Sequence, residues 1–554
     1  MRLKFFVLSA LALILFVGCN EEQIVPDLDS NASYMTVRLV SPADVYTKGT
    51  AGGFANGTAA EGKINNAHFY FYDIMGNFVV EGETLSDLGT TTNPDGSNVE
   101  RYTEATIVLK NVTVLPYQML VVLNLPTADA TRFPGKSLTQ AQAELTNIYN
   151  NSAESFIMTS STYLNATNKV VFTTSGIEGN LKKTEAEAIA NPVEAYVERL
   201  AVKGSLTMKD AGTTSGMPGV FPPTTPVKAA FLGGDKTVDI KINGWGFSNL
   251  NKQSYYIKKI DAGWTAPTFT WTWNSASNYR SFWAQDANYT DGTYPTNYAD
   301  LRDDGSGSDL VTPATAALTY KPYNQIAATA WAAADYCHEN TIAGNLLTGN
   351  FYMNAATNIL VAAQMKLTTE TDYVTLYRFN GVLYTWAQYA DILAENMNMS
   401  YQKTDGTAYT AADFQVPNPA SASTFTNLYD GEIKPLLTST AAGLSTTAAV
   451  TYLAGDRFIT EVFTEGCMYY SIPVEHFLNP TYNKTNPSDP FLVGDFGVVR
   501  NHFYQVTVTD IKKVGIGVFD VTEPIVPNYD PSTYYLAAKL NILAWQTVTQ
   551  NVIL

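Results

Sequence analysis

Three cysteines, four histidines and 51 carboxylates are the groups in this 554-residue chain that could do covalent, metal or acid–base chemistry. The histidines are His68, His338, His476 and His502. Only His338 has a Cys or His close in sequence, the adjacent Cys337, and neighbours on a strand point to opposite faces, so the pair is a poor chelate. The acidic run from Asp303 to Asp309 (DDGSGSD) lacks the spacing and closing Glu of a calcium loop and reads as a solvated loop. HExxH, the phosphate-cradling glycine loop, GxGxxG after a strand and the GxSxG elbow are all missing. So many Asp and Glu offer glycosidase-like pairs by chance that none stands out. We expect no enzyme activity, no catalytic residue, no metal ligand and no cofactor. Two positions keep a definite chemistry, and both lie near the N-terminus. Cys19 offers a thiol to acylation at the end of an apolar run, and Lys48 offers a scissile bond, Lys48-Gly49, inside a glycine-rich loop.

The run before Cys19 opens with Met1-Arg2-Leu3-Lys4 and continues FFVLSALALILFVG, too short for a comfortable membrane span. Gly18-Cys19 at its end resembles a bacterial lipobox, and Asn20-Glu21-Glu22 resembles the acidic export tag that sends lipoproteins of the Bacteroidetes group to the cell surface. Delivery to the outer membrane with a lipid on Cys19 is the expectation. Once Cys19 is used, Cys337 and Cys467 remain, either paired or as two buried free thiols.

Charged residues make up 15% of the chain, against about 25% in ordinary globular proteins. Hydrophobic residues reach 45%, enough for a sizeable core. The net charge of −17 argues against nucleic acid and against anionic lipid as partners. Self-assembly of such a surface must use specific strand or core contacts.

The elements that would position these groups are mostly strands. Tyr34–Val40 alternates, with Met35, Val37 and Leu39 on one face. Further strands are expected at His68–Tyr72, Ala105–Leu109, Gln118–Asn124, Val193–Lys203, Val238–Ile242, Cys467–Ile472 and Phe503–Val508. Leu138–Tyr149 reads as a helix capped by Ser137 or Thr139, and Gly381–Met397 as a second. Arg199 and Arg500 fall in strand-like stretches and should be paired if buried. The Trp and Tyr residues between 264 and 299 could stack on sugars, but read as core or loop anchors.

The last stretch, Tyr534 to Leu554, follows a Pro-punctuated spacer from Glu523 to Pro531. Leu536, Ala538, Leu540, Ile542 and Ala544 share one face, Lys539 and Asn541 the other, and Trp545 marks a bend. The residues admit two readings: a last strand of its own domain, or a donor strand that completes another subunit's sheet.

Several stretches in order resemble the Bacteroidales-type fimbrillin family, specifically the shaft pilins of short (minor) fimbriae. They are Val197–Lys203 (VERLAVK), Asn249–Tyr255 (NLNKQSY), Asn278–Ala284, Tyr336–Thr341 (YCHENT), Tyr469–His476, Gly497–Tyr504 (GVVRNHFY), Ile511–Gly515 and the terminal strand. The resemblance implies a mainly β fold of two antiparallel, transthyretin-like β-sandwich domains with a few helices in insertions and an extended C-terminal strand. It implies a signal peptide over 1–18, a lipidated propeptide with a leader strand over 19–48, sandwich domains over 49–209 and 210–522, and a spacer and donor strand over 523–554. It also implies a surface fimbrial subunit that supports adhesion. A trypsin-like protease cuts after a basic residue, here Lys48, although the family's usual residue is Arg. The implied partners are other copies of the chain, accessory fimbrial subunits, that protease and, through the precursor's lipid, the outer membrane. A fimbrial anchor or tip adhesin, or a surface glycan-binding lipoprotein, is the alternative.

Overall fold

Alternation governs the first strand, β1 (Ser33–Pro42), whose Met35, Val37 and Leu39 all point into the core. The computed structural model describes residues 33–42, 57–92, 99–110, 112–147, 155–208, 227–264, 273–289, 318–329, 333–341, 356–418, 428, 431–476, 494–526 and 546–553. The first sheet also holds β2 (Ile64–Tyr72), β3 (Val99–Leu109), β4 (Gln118–Leu123), β5 (Met158–Ser160) and β6 (Val193–Arg199). Its order is Phe78–Glu81, β2, β4, β5, β6, β1, β3, Thr91–Thr92. β1 is therefore an inner strand, parallel to β6 and antiparallel to β3. Phe69 and Phe71 of β2 share one core with Val37 of β1 and Ile107 of β3, so the sheet folds over on itself.

The outer face of β2 and β4, with Tyr70, Tyr72, Leu120 and Val122, is covered by Leu138 and Ala141 of helix α1 (Leu138–Gln142). Ser137 caps α1 in a capping box with Gln140. The helix stops well short of Tyr149 because Leu145–Thr146 pairs with Ser254–Tyr255 instead. A cross-chain ladder here outweighs local helix propensity. A second short helix, α2 (Glu185–Ile189), lies over β1 and β3.

The stretch Val193–Lys203 is not one strand. It breaks at Leu200, and β7 (Ala201–Met208) belongs to a different sheet. The main strands of this half are β8 (Gly234–Ser248), β9 (Asp335–His338), β10 (Asn358–Leu367), β11 (Cys467–Pro473), β12 (His502–Asp510) and β13 (Gln546–Ile553), with shorter ones beside them. One sheet runs β9, β7, β12, β13, and a nine-stranded sheet has β8, β10 and β11 side by side. Val202 of β7 and Val506 of β12 share a core with Trp245 of β8 and Val361 of β10, so these two sheets face each other as a sandwich.

The mainly β, layered expectation holds. The sheets, however, are mixed rather than antiparallel: β7 runs parallel to β12, and β12 to β13. Long intervening segments free these neighbours from hairpin geometry. Gly381–Met397 resolves into a strand, Val382–Tyr384, and a helix, α3 (Trp386–Asn398), that Thr385 caps. Cys337 and Cys467 are both buried and unbridged, and burial raises both thiols above their ordinary value. They are inert core thiols.

Candidate functional site

Among the described residues, no three His, Cys, Asp or Glu side chains gather as a metal ion would require. The fold instead builds two features around β1 and the motif residues.

The first is the slot that β1 fills. β3 pairs with β1 along its whole length, from Ser33 opposite Leu109 to Pro42 opposite Val99, and β6 pairs with it from Val37 opposite Val193 to Val40 opposite Tyr196. Met35, Val37 and Leu39 form part of the core on one side. On the other side Thr36 and Thr106 share a hydroxyl contact of 3.0 Å. Arg38 Nε donates to Glu104 Oε1 of β3 at 2.7 Å, and Arg38 Nη1 lies 3.5 Å from Glu194 Oε1 of β6. Tyr196 also donates its hydroxyl to Glu194, at 3.0 Å.

At the end where β1 leaves, the two walls are tied together. Arg199 Nη2, at the end of β6, donates to Glu100 Oε1 of β3 at 2.7 Å, and both side chains are 2% exposed. Arg199 Nε also donates to the Glu61 carbonyl at 3.0 Å. The Glu61 carboxylate takes Lys203 Nζ at 2.6 Å, the Tyr336 hydroxyl, and the Thr58 amide at 2.8 Å. Burial pushes the Glu61 carboxyl up, but Lys203 and Tyr336 outweigh it and hold it below the usual range. A Cβ on Gly57 would sit 2.8 Å from Glu61 Oε2 and 2.9 Å from Glu100 Oε1, so a larger residue here would have to displace these carboxylates.

The second feature is a buried polar junction where the two halves meet. Arg500, fully buried, donates to the Tyr256 carbonyl at 3.1 Å, the Tyr255 carbonyl at 2.7 Å and Ser254 Oγ at 3.0 Å, and pairs with Glu339. Lys258 Nζ pairs with Glu198 Oε2 at 2.6 Å and donates to the Ser281 carbonyl at 3.0 Å. The motif stretches 197–203, 249–255, 336–341 and 497–504, scattered along the sequence, thus converge on one place. Arg199 and Arg500 are both buried and paired, as expected.

His476 and His502, remote in sequence, stack edge to face with ring centroids 5.1 Å apart. His476 Nδ1 meets the Tyr504 hydroxyl at 2.7 Å, and its Nε2 lies 2.6 Å from the Phe282 carbonyl. Burial drives His476 down to about 3 and His502 well below the ordinary imidazole value. Burial pushes Asp286 up to about 7, against the amides of Thr341 and Asn288 and the Asn251 side chain. Trp264, Trp273 and Trp283 pack on one another and serve as loop anchors.

The buried histidines make stability depend on pH. Between about pH 4 and 6 the unfolded chain protonates His476 and the folded chain does not, so stability falls by about 1.4 kcal/mol per unit as pH falls, and His502, also lowered by burial, works in the same sense. Asp286 works in the opposite sense, because its raised value lets the folded state hold a proton over the same window. We expect His476→Gln to lower the slope of unfolding free energy against pH by about 1.4 kcal/mol per unit there, measured by denaturant unfolding. An unchanged slope would show that His476 titrates normally in the fold.

Of the positions singled out in the sequence, Cys19, Lys48, Gly49, Leu536, Ala538, Leu540, Ile542, Ala544 and Trp545 lie outside the described residues. β13 begins directly after Trp545 and runs along β12 as the edge strand of its own sheet. Residues 461–551 match the family described as "Major fimbrial subunit protein type IV, Fimbrillin, C-terminal". The chain carries a fimbrillin C-terminal region. That fimbrillin region spans β11, β12, Arg500, both stacked histidines and most of β13. No curated protein matches the chain.

Among solved structures, a protein described as a cell adhesion protein from Parabacteroides distasonis is 11% identical, with a TM-score of 0.38, covering 94% of this chain and 99% of that one. Another so described, from Bacteroides eggerthii, is 13% identical with a TM-score of 0.33, covering 94% and 98%. A C-terminally truncated tip fimbrial protein from Porphyromonas gingivalis is 11% identical with a TM-score of 0.26, covering 60% and 77%.

Proposed function

We propose that this chain is the shaft subunit of surface fimbriae. It is exported as a lipoprotein through Cys19, cut after Lys48 by a trypsin-like protease, and polymerised when the C-terminal segment of one copy fills the slot that β1 leaves in the next. The observation that carries this reading is the position of β1. It is an inner strand with a neighbour on each side, yet the chain leaves it at Pro42, a few residues before Lys48.

A cut at Lys48 separates β1 from the rest covalently while leaving both walls intact. Emptying the slot exposes the amides and carbonyls of β3 and β6 and an apolar floor, each lost apolar side chain being worth about 1.5–3 kcal/mol. A strand from another copy restores both ladders. A contact of this head-to-tail kind does not close on itself and grows into an open filament. The segment before β13 supplies a suitable apolar face in Leu536, Ala538, Leu540 and Ile542.

N-terminal sequencing of the surface form tests the processing step. We expect Gly49 as the first residue. Filaments whose subunits still begin at Cys19 would instead identify an anchor subunit that keeps its leader strand.

A further inference from the structure

The walls of the slot carry a charge pattern that specifies how an incoming strand must sit. Glu104 on β3 and Glu194 on β6 both stand opposite Arg38, at one level of the sheet, and Arg38 is the only charged residue of β1. Once β1 departs, two carboxylates flank the same position with no cation between them. Like charges so placed oppose filling by a neutral or acidic residue, and a basic one relieves them.

Between Tyr534 and Leu554 there is one charged side chain, Lys539. The slot also needs apolar residues at the levels of Met35, Val37 and Leu39. Residues 546–553 (QTVTQNVI) hold no three alternating apolar residues. Upstream, alternation alone allows four settings in steps of two: 534/536/538, 536/538/540, 538/540/542 and 540/542/544. They place Ala537, Lys539, Asn541 or Leu543, respectively, between the two glutamates. Only one setting supplies a cation.

We propose that Lys539 of one copy takes the place of Arg38 between Glu104 and Glu194 of the next, which sets Leu536, Ala538 and Leu540 at the levels of Met35, Val37 and Leu39. This rests on the strand-donation reading above. The donated strand runs in the direction of β1, because only that direction restores the parallel ladder to β6 and the antiparallel ladder to β3 together. On this register Tyr534–Leu543 (YYLAAKLNIL) copies Ser33–Pro42 (SYMTVRLVSP) at the tyrosine, the basic residue and the leucine that follows it. The leader strand and the C-terminal segment are two versions of one part.

Cross-linking and charge reversal, both in the purified processed chain, test it. Thr106 stands opposite Thr36, so Thr106→Cys with Ala537→Cys should give an intersubunit disulfide ladder and leave all three charges in place. Thr106→Cys with Tyr535→Cys or with Asn541→Cys should not. Lys539→Glu should slow assembly roughly tenfold at low salt, less at high salt, and adding Glu104→Lys should restore most of the rate. Cross-linking through 535 or 541, or a charge reversal without effect, would overturn the register and leave strand donation standing. Assembly that yields no cross-link at any of these positions and ignores Leu540→Asp would overturn both.

Discussion

Leu540→Asp is expected to abolish polymerisation and leave the melting of the monomer unchanged. In the filament Leu540 would lie over the apolar floor formed by residues such as Ala105, Ile107, Ala195 and Val197. An unpaired carboxylate there costs several kcal/mol, enough to remove assembly rather than slow it. Asn541→Asp, on the opposite face, is the control and should polymerise. Sedimentation of processed protein reads the result directly. The point substitution is a cleaner test than deleting the C-terminus, because deletion also strips the β13 ladder from β12 and lowers stability for an unrelated reason. Normal filaments from Leu540→Asp would remove the main physical support for strand donation.

The second large effect concerns the junction. Arg500→Ala should destabilise the protein by about 3–5 kcal/mol, because it strands Glu339 as a buried carboxylate and takes one donor from each of three further acceptors. Adding Glu339→Gln should recover part of that loss by removing the isolated charge, a non-additivity that a double-mutant cycle measures by denaturant unfolding. Losses that simply add would mean that the two residues do not act as a pair. Exposed pairs such as Lys434 with Asp456 offer the contrast, since surface pairs are worth about 0–1 kcal/mol.

Local rules carried some of this architecture and long-range contacts the rest. The period-two pattern of Met35, Val37 and Leu39 marked β1 as a half-buried strand, but nothing in that pattern says that it is an inner strand with β6 on one side and β3 on the other. Those partners are far away in sequence. The polarity of Arg199 and Arg500 within strand-like stretches signalled that each needed a partner, and each has one. The partners themselves were not readable: Glu61, Glu100 and Glu339 look like any other glutamate until the fold buries them. Lys258 stands next to another lysine, Lys259, with nothing in the sequence to mark its partner, yet it is buried against Glu198. The strand read through Val193–Lys203 shows the same limit, because its run of strand-forming residues continues across Leu200 while the chain passes from one sheet to another. The pairing of His476 with His502 is also a product of topology, brought about by β11 and β12 lying in facing sheets.

The Arg199–Glu100 tie has a consequence for time. A subunit that has lost β1 has an obvious way to heal itself: β3 could slide about 4.8 Å toward β6 and pair with it directly. That closed form would be a dead end, since no strand could then enter. The slide would have to break a buried ion pair whose geometry is set for two walls one strand apart, at a cost of about 3 kcal/mol, or on the order of a hundredfold in population. On the strand-donation reading, Arg199 and Glu100 would act as a spacer that keeps the vacancy open. Cut subunits would age slowly, and a stock of them could wait for the tip of a growing filament without spoiling.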